Sequence, residues 1–218
     1  VNGDSLLITE RHKRIADQCS QITKEELSKN LRFRKGKLRI SVFGGSGTGK
    51  SEVALLTRSL LHEQGIRAYV IPLDDFYSVT PLTRNELRKT LPTDQIGLPE
   101  IKWNLLDDIV WKFKHGYPVT YTRLDKFLNY AGEQVTINPE DIDVLIFEGL
   151  FAGFVRDSDL TFMLNATPED TKKFRLTRGK ENTLDKDRQR IVKKEYETVN
   201  ELEVYATHIF SYKGELDE

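Results

Sequence analysis

The stretch LRISVFGGSGTGKSEVALL, Leu38 to Leu56, places a glycine-rich turn, a lysine and a serine between two apolar runs. Gly44-Gly45-Ser46-Gly47-Thr48-Gly49-Lys50-Ser51 satisfies every fixed position of the pattern G-x-x-x-x-G-K-[ST]. Glycines let successive backbone N–H groups turn into one concavity, and a helix beginning near the lysine adds its positive end, so the segment is built to receive anionic oxygens. Lys50 is expected to reach the β- and γ-phosphates of a nucleotide, and the Ser51 hydroxyl to help hold Mg²⁺. Ordinary residue usage would produce the pattern in on the order of 1% of chains this long. The expected ligand is a nucleoside triphosphate, with ATP and Mg²⁺ as the working pair.

Transfer of a phosphoryl group to a small alcohol asks for three further parts: a carboxylate at the hydroxyl, acidic support for Mg²⁺, and cations on the migrating group. Asp74 and Asp75, in LDDFY, are candidates for the first, and the residues alone leave either open. Glu148, closing the run DVLIFE, is the candidate for the second, alongside Ser51. Arg175 and Arg178, one helical turn apart on a segment that also carries Lys172 and Lys173, are candidates for the third, on a face expected to be exposed. No N-K-x-D occurs, which argues against a guanine-nucleotide switch. Gly149 directly after Glu148 departs from the acidic pair of motor and AAA-type ATPases.

These residues need a scaffold that brings them together. Leu38–Phe43 reads as a strand, and Val53, Leu56 and Leu60 as the apolar face of a helix closing at Gly65. RAYVIPL, from Arg67, makes a second strand ending at Asp74; Asp143 to Phe147 makes a buried strand with Glu148 at its carboxyl end; DLTFMLNA makes another. Thr167-Pro168 opens a lid helix, and a last helix from about Asp185 buries Ile191 or Val192, Tyr196, Val199 and Leu202. Strands separated by helices predict an α/β fold with a mostly parallel sheet flanked by helices, whose ligands lie beyond the carboxyl ends of the strands.

Other segments are read as follows. Ile15, Cys19 and Ile22, then TKEE from Thr23, predict two helices in an N-terminal extension over 1–37, ahead of a domain over 38–218, with no chemistry assigned to them. Ser78 to about Lys102 reads as a long polar loop. A helix with Leu105 or Leu106, Ile109, Val110 and Phe113 inward stops at Gly116. PVTYTRLDKFLNYAGEQVTI alternates like a hairpin with its turn at Ala131-Gly132-Glu133.

With 33 Lys and Arg against 34 Asp and Glu, the net charge of −1 gives no footprint for nucleic acid. The single Cys19 cannot form an internal disulfide, which fits a reducing cytoplasmic setting. No apolar stretch approaches the ~18 residues of a membrane span. The opening VNGDSLLITERHKR lacks the order of a signal peptide, so a soluble protein without a membrane partner is expected. A homo-oligomer stays open.

The segments GGSGTGKS, LDDFY, WNLLDD, VLIFEGLFA and DTKKFRLTR, in that order, resemble the uridine kinase and phosphoribulokinase family of P-loop kinases over roughly Leu38 to Phe210. The resemblance implies a P-loop NTPase fold and ATP- and Mg²⁺-dependent phosphorylation of a hydroxyl on a small metabolite, with Asp74 at the family's catalytic aspartate. Asp74, Asp75, Phe76, Tyr77 and Asp125 are the substrate-binding candidates. The lid reads Arg178-Gly179-Lys180-Glu181 where the family carries a richer run of arginines. Thr122–Asp125 and KWNLLDD stand where uridine kinases have Pro-x-Tyr-Asp and His-Pro. The acceptor therefore stays open among nucleosides, sugar acids, sugar phosphates and similar metabolites. The alternative is an NTP-dependent regulatory or assembly ATPase with no small-molecule acceptor.

Overall fold

A computed structural model describes residues 7–31, 37–125, 130–177, 186–213 and 216 of the 218-residue chain. Strands β1 (Leu38–Gly44), β2 (Ala68–Pro72), β5 (Val144–Glu148), β6 (Leu160–Leu164) and β7 (His208–Phe210) form one sheet in the order β2-β5-β1-β6-β7, parallel throughout. Strands β3 (Val119–Asp125) and β4 (Tyr130–Ile137) form a separate antiparallel pair.

The sheet is covered on both faces, and its three central strands, β1, β5 and β6, are buried along their whole length. Every residue of β1 is buried, including Arg39 and Ser41, which lie among the apolar positions. Arg39 offsets its burial with a bidentate pair to Asp159 (Nε–Oδ2 3.0 Å, Nη2–Oδ1 2.8 Å), and Ser41 Oγ lies 2.8 Å from Ser158 Oγ. Alternate residues feed two cores. Phe43, Leu145, Phe147 and Met163 point to one face, and Ile40, Val42, Ile146 and Phe162 to the other.

Helix α2 (Lys50–Glu63) and the N-terminal α1 (Glu10–Leu31) cover the second face through Val53, Leu61, Ile15 and Cys19. The first face takes α4 (Trp103–His115), with Leu106, Ile109, Val110 and Phe113 buried, and α6 (Lys186–Glu201), with Val199. Gly116 ends α4 in the left-handed conformation, as its position predicts, and Leu105 is the exposed member of its leucine pair. The remaining helices are α3 (Pro81–Thr90) and α5 (Pro168–Thr177). No helix among the described residues is long and apolar enough to cross a membrane.

Three local expectations need correction. The N-terminal extension holds one continuous helix where two are predicted. Thr23 does not cap a second helix; its hydroxyl donates to Cys19 O one turn back at 2.6 Å and stays inside the ladder. The loop expected over Ser78–Lys102 contains α3 and two 3₁₀ turns. Its apolar periodicity is missing because Leu82 and Leu87 face solvent and the buried residue of α3 is a charged one, Arg88. The turn expected at Ala131-Gly132-Glu133 is strand, with Ala131 paired to Leu124, and the link between β3 and β4 falls at 126–129, outside the described residues.

Candidate active site

Register fixes where the chemical groups meet. Glu148 pairs with Val42 on one side and Pro72 on the other, so the last residues of β5 and β2 stand level and β1 runs two residues further, to Gly44. Two residues beyond Val42 the glycine turn begins, and two beyond Pro72 stands Asp74. With neighbouring strands about 4.8 Å apart, the glycine turn and Asp74 flank Glu148 across roughly 10 Å at one sheet edge.

The glycine turn leads directly into α2, whose first residues are Lys50 and Ser51. Gly47 and Gly49 have φ of 81° and 92°, the left-handed region that side chains avoid, and these conformations aim the turn's backbone inward. Lys50 Nζ donates to Gly45 O at 2.8 Å, holding the ammonium over the turn. Thr48 Oγ1 donates to the same carbonyl at 2.9 Å. Ser51 Oγ donates to Glu148 Oε2 at 3.1 Å, although they lie far apart in sequence, and Glu148 is only 5% exposed. A hydroxyl and a carboxylate oxygen in contact at the mouth of an anion cradle are hard oxygen ligands, the donor set that suits Mg²⁺ beside phosphates.

Asp74 and Asp75 lie in a 3₁₀ turn, Leu73–Phe76, and not on a strand. Successive side chains there diverge by about 120°, so Asp74 and Asp75 point different ways, and Tyr77 follows the turn as its extended C-cap. Asp75 Oδ1 accepts the Leu124 backbone N–H at 3.1 Å, tying the turn to β3. Phe76 is buried and stacks on Tyr121 with ring centroids 5.5 Å apart, so it supports the turn from the core side. Tyr77 is buried as well, and burial pushes its phenol pKa well up, so it stays neutral.

The model of the phosphoribulokinase / uridine kinase family matches residues 39–167. The chain belongs to that family. It is accordingly a phosphotransferase acting on an alcohol group, a small-molecule kinase. No curated protein sequence matches the chain. Among solved structures, one described as "a Possible Uridine Kinase from Bacillus stearothermophilus" is 19% identical, with TM-score 0.62, over 93% of this chain and 100% of that one. D-glycerate 3-kinase from Cryptococcus neoformans is 18% identical, with TM-score 0.63, over 93% of this chain and 97% of that one. At such identity these likenesses show the shared P-loop kinase fold.

Elements beyond the family match close around this kinase's glycine turn. Tyr196 of α6 donates its hydroxyl proton to Ser46 O at 2.8 Å, and its ring lies where a Cβ on Gly45 would sit, 2.2 Å away. Gly45 is therefore required by the tyrosine packed on it. Burial raises the Tyr196 pKa and keeps this donor protonated. Arg175 of α5 is 8% exposed, which takes it off the exposed basic face expected for this helix, while Lys172 and Lys173 are exposed as expected. Its stem runs against Gly47, 2.9 Å from a virtual Cβ, and its Nη1 donates to Pro168 O at 2.7 Å and to Thr171 Oγ1. The start of α5 is capped reciprocally, with Thr167 N and Oγ1 donating to Asp170 Oδ2 at 2.8 and 2.7 Å. Arg178 and the side chain of Asp125 lie outside the described residues.

Sequence reasoning missed α1 as part of the site. Arg11 Nη1 donates to Thr48 O at 3.0 Å, and His12, 3% exposed, sits against Gly49, where a Cβ would meet its ring at 2.2 Å. The apolar spacing of Ile15 and Cys19 shows which face packs; it says nothing about which element that face meets.

Proposed function

We propose that this kinase uses ATP and Mg²⁺ to phosphorylate a hydroxyl of a small metabolite in the cytoplasm. The catalytic unit spans 38–218, with 1–37 as an extension that braces the glycine turn. The observation that carries the reading is the hydrogen bond from Ser51, beside Lys50 at the start of α2, to Glu148 at the end of β5, with Asp74 two residues beyond Pro72, the β2 partner of Glu148.

The roles follow from chemistry at each place. Backbone N–H groups of Gly45 to Gly49 and the start of α2 receive the phosphates. The Lys50 ammonium moves from Gly45 O to the β- and γ-phosphate oxygens, where negative charge spreads during transfer. Ser51 and Glu148 would hold Mg²⁺, directly or through water, and the bound cation neutralises charge on the phosphates. Asp74 accepts a hydrogen bond from the acceptor hydroxyl, orients it in line with the γ-phosphorus, and takes its proton as the new P–O bond forms and ADP leaves. Asp75, Phe76 and Tyr77 hold the turn that presents Asp74, and Asp125 with the β3–β4 pair borders the acceptor side. Arg175 of α5 and Arg178, which follows α5 in the sequence, supply cations to the closed state.

The test is ADP release over a panel of nucleosides, sugars, sugar acids, sugar phosphates and vitamin precursors. Acceptor-dependent ADP release with a phosphate ester as product is the expected result. Slow ADP release that ignores every acceptor and survives Asp74→Asn would replace this reading with that of a regulatory ATPase.

A further inference from the structure

Helix α3 presents two arginines one turn apart in contrasting states. Arg88 is buried, with Nε and Nη2 on Glu100 at 2.7 and 2.6 Å and Nη1 on Glu195 Oε1 at 2.7 Å. Burial disfavours its charge, but the two carboxylates outweigh that and hold its pKa above the usual value. Arg84 has no carboxylate within reach among the described residues. Its guanidinium carbon lies 3.6 Å from the centre of the Tyr77 ring, and its Nε is shielded from solvent without a hydrogen-bond partner.

The surroundings hold Arg84 in place. Arg190 of α6 donates to the carbonyls of Arg88 and Leu91, at 2.7 and 3.1 Å, and closes the end of α3. The Arg88–Glu195 pair ties the same two helices, and α6 carries Tyr196 on the glycine turn. Tyr77 follows the 3₁₀ turn as its extended C-cap, and the charges of both Asp74 and Arg84 act on its phenol, so the two groups lie near the same ring. A cation oriented by an aromatic ring thus stands near Asp74, where the acceptor hydroxyl would bind. A shielded N–H with no acceptor is destabilising in the free protein, and a planar guanidinium matches a carboxylate or phosphate with paired hydrogen bonds.

We propose that Arg84, stacked on Tyr77 beside Asp74, binds an anionic group of the acceptor, so that the substrate is a small hydroxy acid or sugar phosphate and not a neutral alcohol. This rests on the kinase reading, with the hydroxyl at Asp74 and the anion at Arg84.

Three probes on one carbon skeleton separate the cases: D-glycerate, glycerol 3-phosphate and neutral glycerol, each titrated calorimetrically into protein saturated with ADP and Mg²⁺ so that the glycine turn is already filled. At least one anion should bind roughly tenfold or more tighter than glycerol, as a charge-assisted pair requires. Whether D-glycerate or glycerol 3-phosphate is preferred identifies carboxylate or phosphate. Arg84→Gln, a good helix former checked by its thermal midpoint, should reduce that preference to within about twofold. Lys89→Gln, which removes an exposed charge on the same helix, should keep it. Glycerol binding as tightly as both anions, or an anion preference that survives Arg84→Gln, overturns the inference. Turnover of neutral acceptors alone, unchanged in Arg84→Gln, also overturns it while the kinase reading stands. Arg84-dependent anion binding without ADP release on any acceptor would keep the anion site and remove the kinase reading.

Discussion

In the proposed mechanism Lys50 and Asp74 act at opposite ends of the transferred group, and their substitutions should separate. Lys50→Ala removes a cation from developing charge and should lower kcat by about 10²-fold or more while the fold persists, because its half-buried side chain ends on the glycine turn and belongs to neither apolar core. Circular dichroism and ADP release measured together check this. Asp74→Asn should reduce kcat and kcat/KM together, by roughly 10²–10⁴-fold, with ATP affinity nearly unchanged, because a base matters mainly in the transition state. Asp75→Asn should do much less to chemistry. Its carboxylate already accepts a backbone N–H from β3, so its loss should show as a lower thermal midpoint. Equal kinetic losses in the two variants would assign them a shared role. Motif and strand ends singled out Lys50, Ser51, Glu148 and the pair Asp74 and Asp75, and the resemblance to the kinase family chose Asp74 of the pair. The geometry separating the two aspartates was not legible, because a 3₁₀ turn leaves no periodic signature in so few residues.

At the level of elements, α1 and α5 brace a loop that its own glycines leave loose. Arg11→Ala deletes the hydrogen bond to Thr48 O and should raise KM for ATP about fivefold, the worth of roughly one net hydrogen bond, with kcat little changed. An unaltered KM would make α1 a packing element only. The cap of α5 carries a pH signature. The Thr167 hydroxyl and backbone N–H hold the Asp170 carboxyl below the ordinary carboxylate range. A carboxylate whose pKa is depressed on folding contributes stability above its unfolded pKa of about 3.9, and that contribution is lost as pH falls through the lower folded value. The thermal-midpoint gap between the wild type and Asp170→Asn should therefore hold steady from neutral pH to about 5 and close below about 4. Legibility at this scale depended on apolar periodicity. Helices α2, α4 and α6 carry apolar stripes and were readable; α3 buries an arginine instead, so its pattern looked like loop.

Across the whole molecule, the sheet order places the glycine turn, Glu148 and Asp74 at the carboxyl ends of adjacent strands, and helices from both ends of the described chain close over the glycine turn. A parallel sheet followed from strand and helix alternation. The order β2-β5-β1-β6-β7 and the contacts of the N-terminal helix did not, because they arise from pairings between residues distant in sequence. One such long-range tie is the Arg88 network joining α3 to α6. Arg88→Ala would leave Glu100 and Glu195 buried without their cation and should cost about 3–5 kcal/mol in a denaturant titration. The central claim is transfer of a phosphoryl group to an alcohol through Asp74, with Lys50 on the phosphates. Its most direct test is phosphorus NMR of ATP turnover with Mg²⁺ and the panel of hydroxyl acceptors. A new phosphate-ester signal should grow in step with ADP for the wild type and be nearly absent in Lys50→Ala and Asp74→Asn. Growth of inorganic phosphate alone, equal with and without acceptors and unchanged in Asp74→Asn, would contradict it.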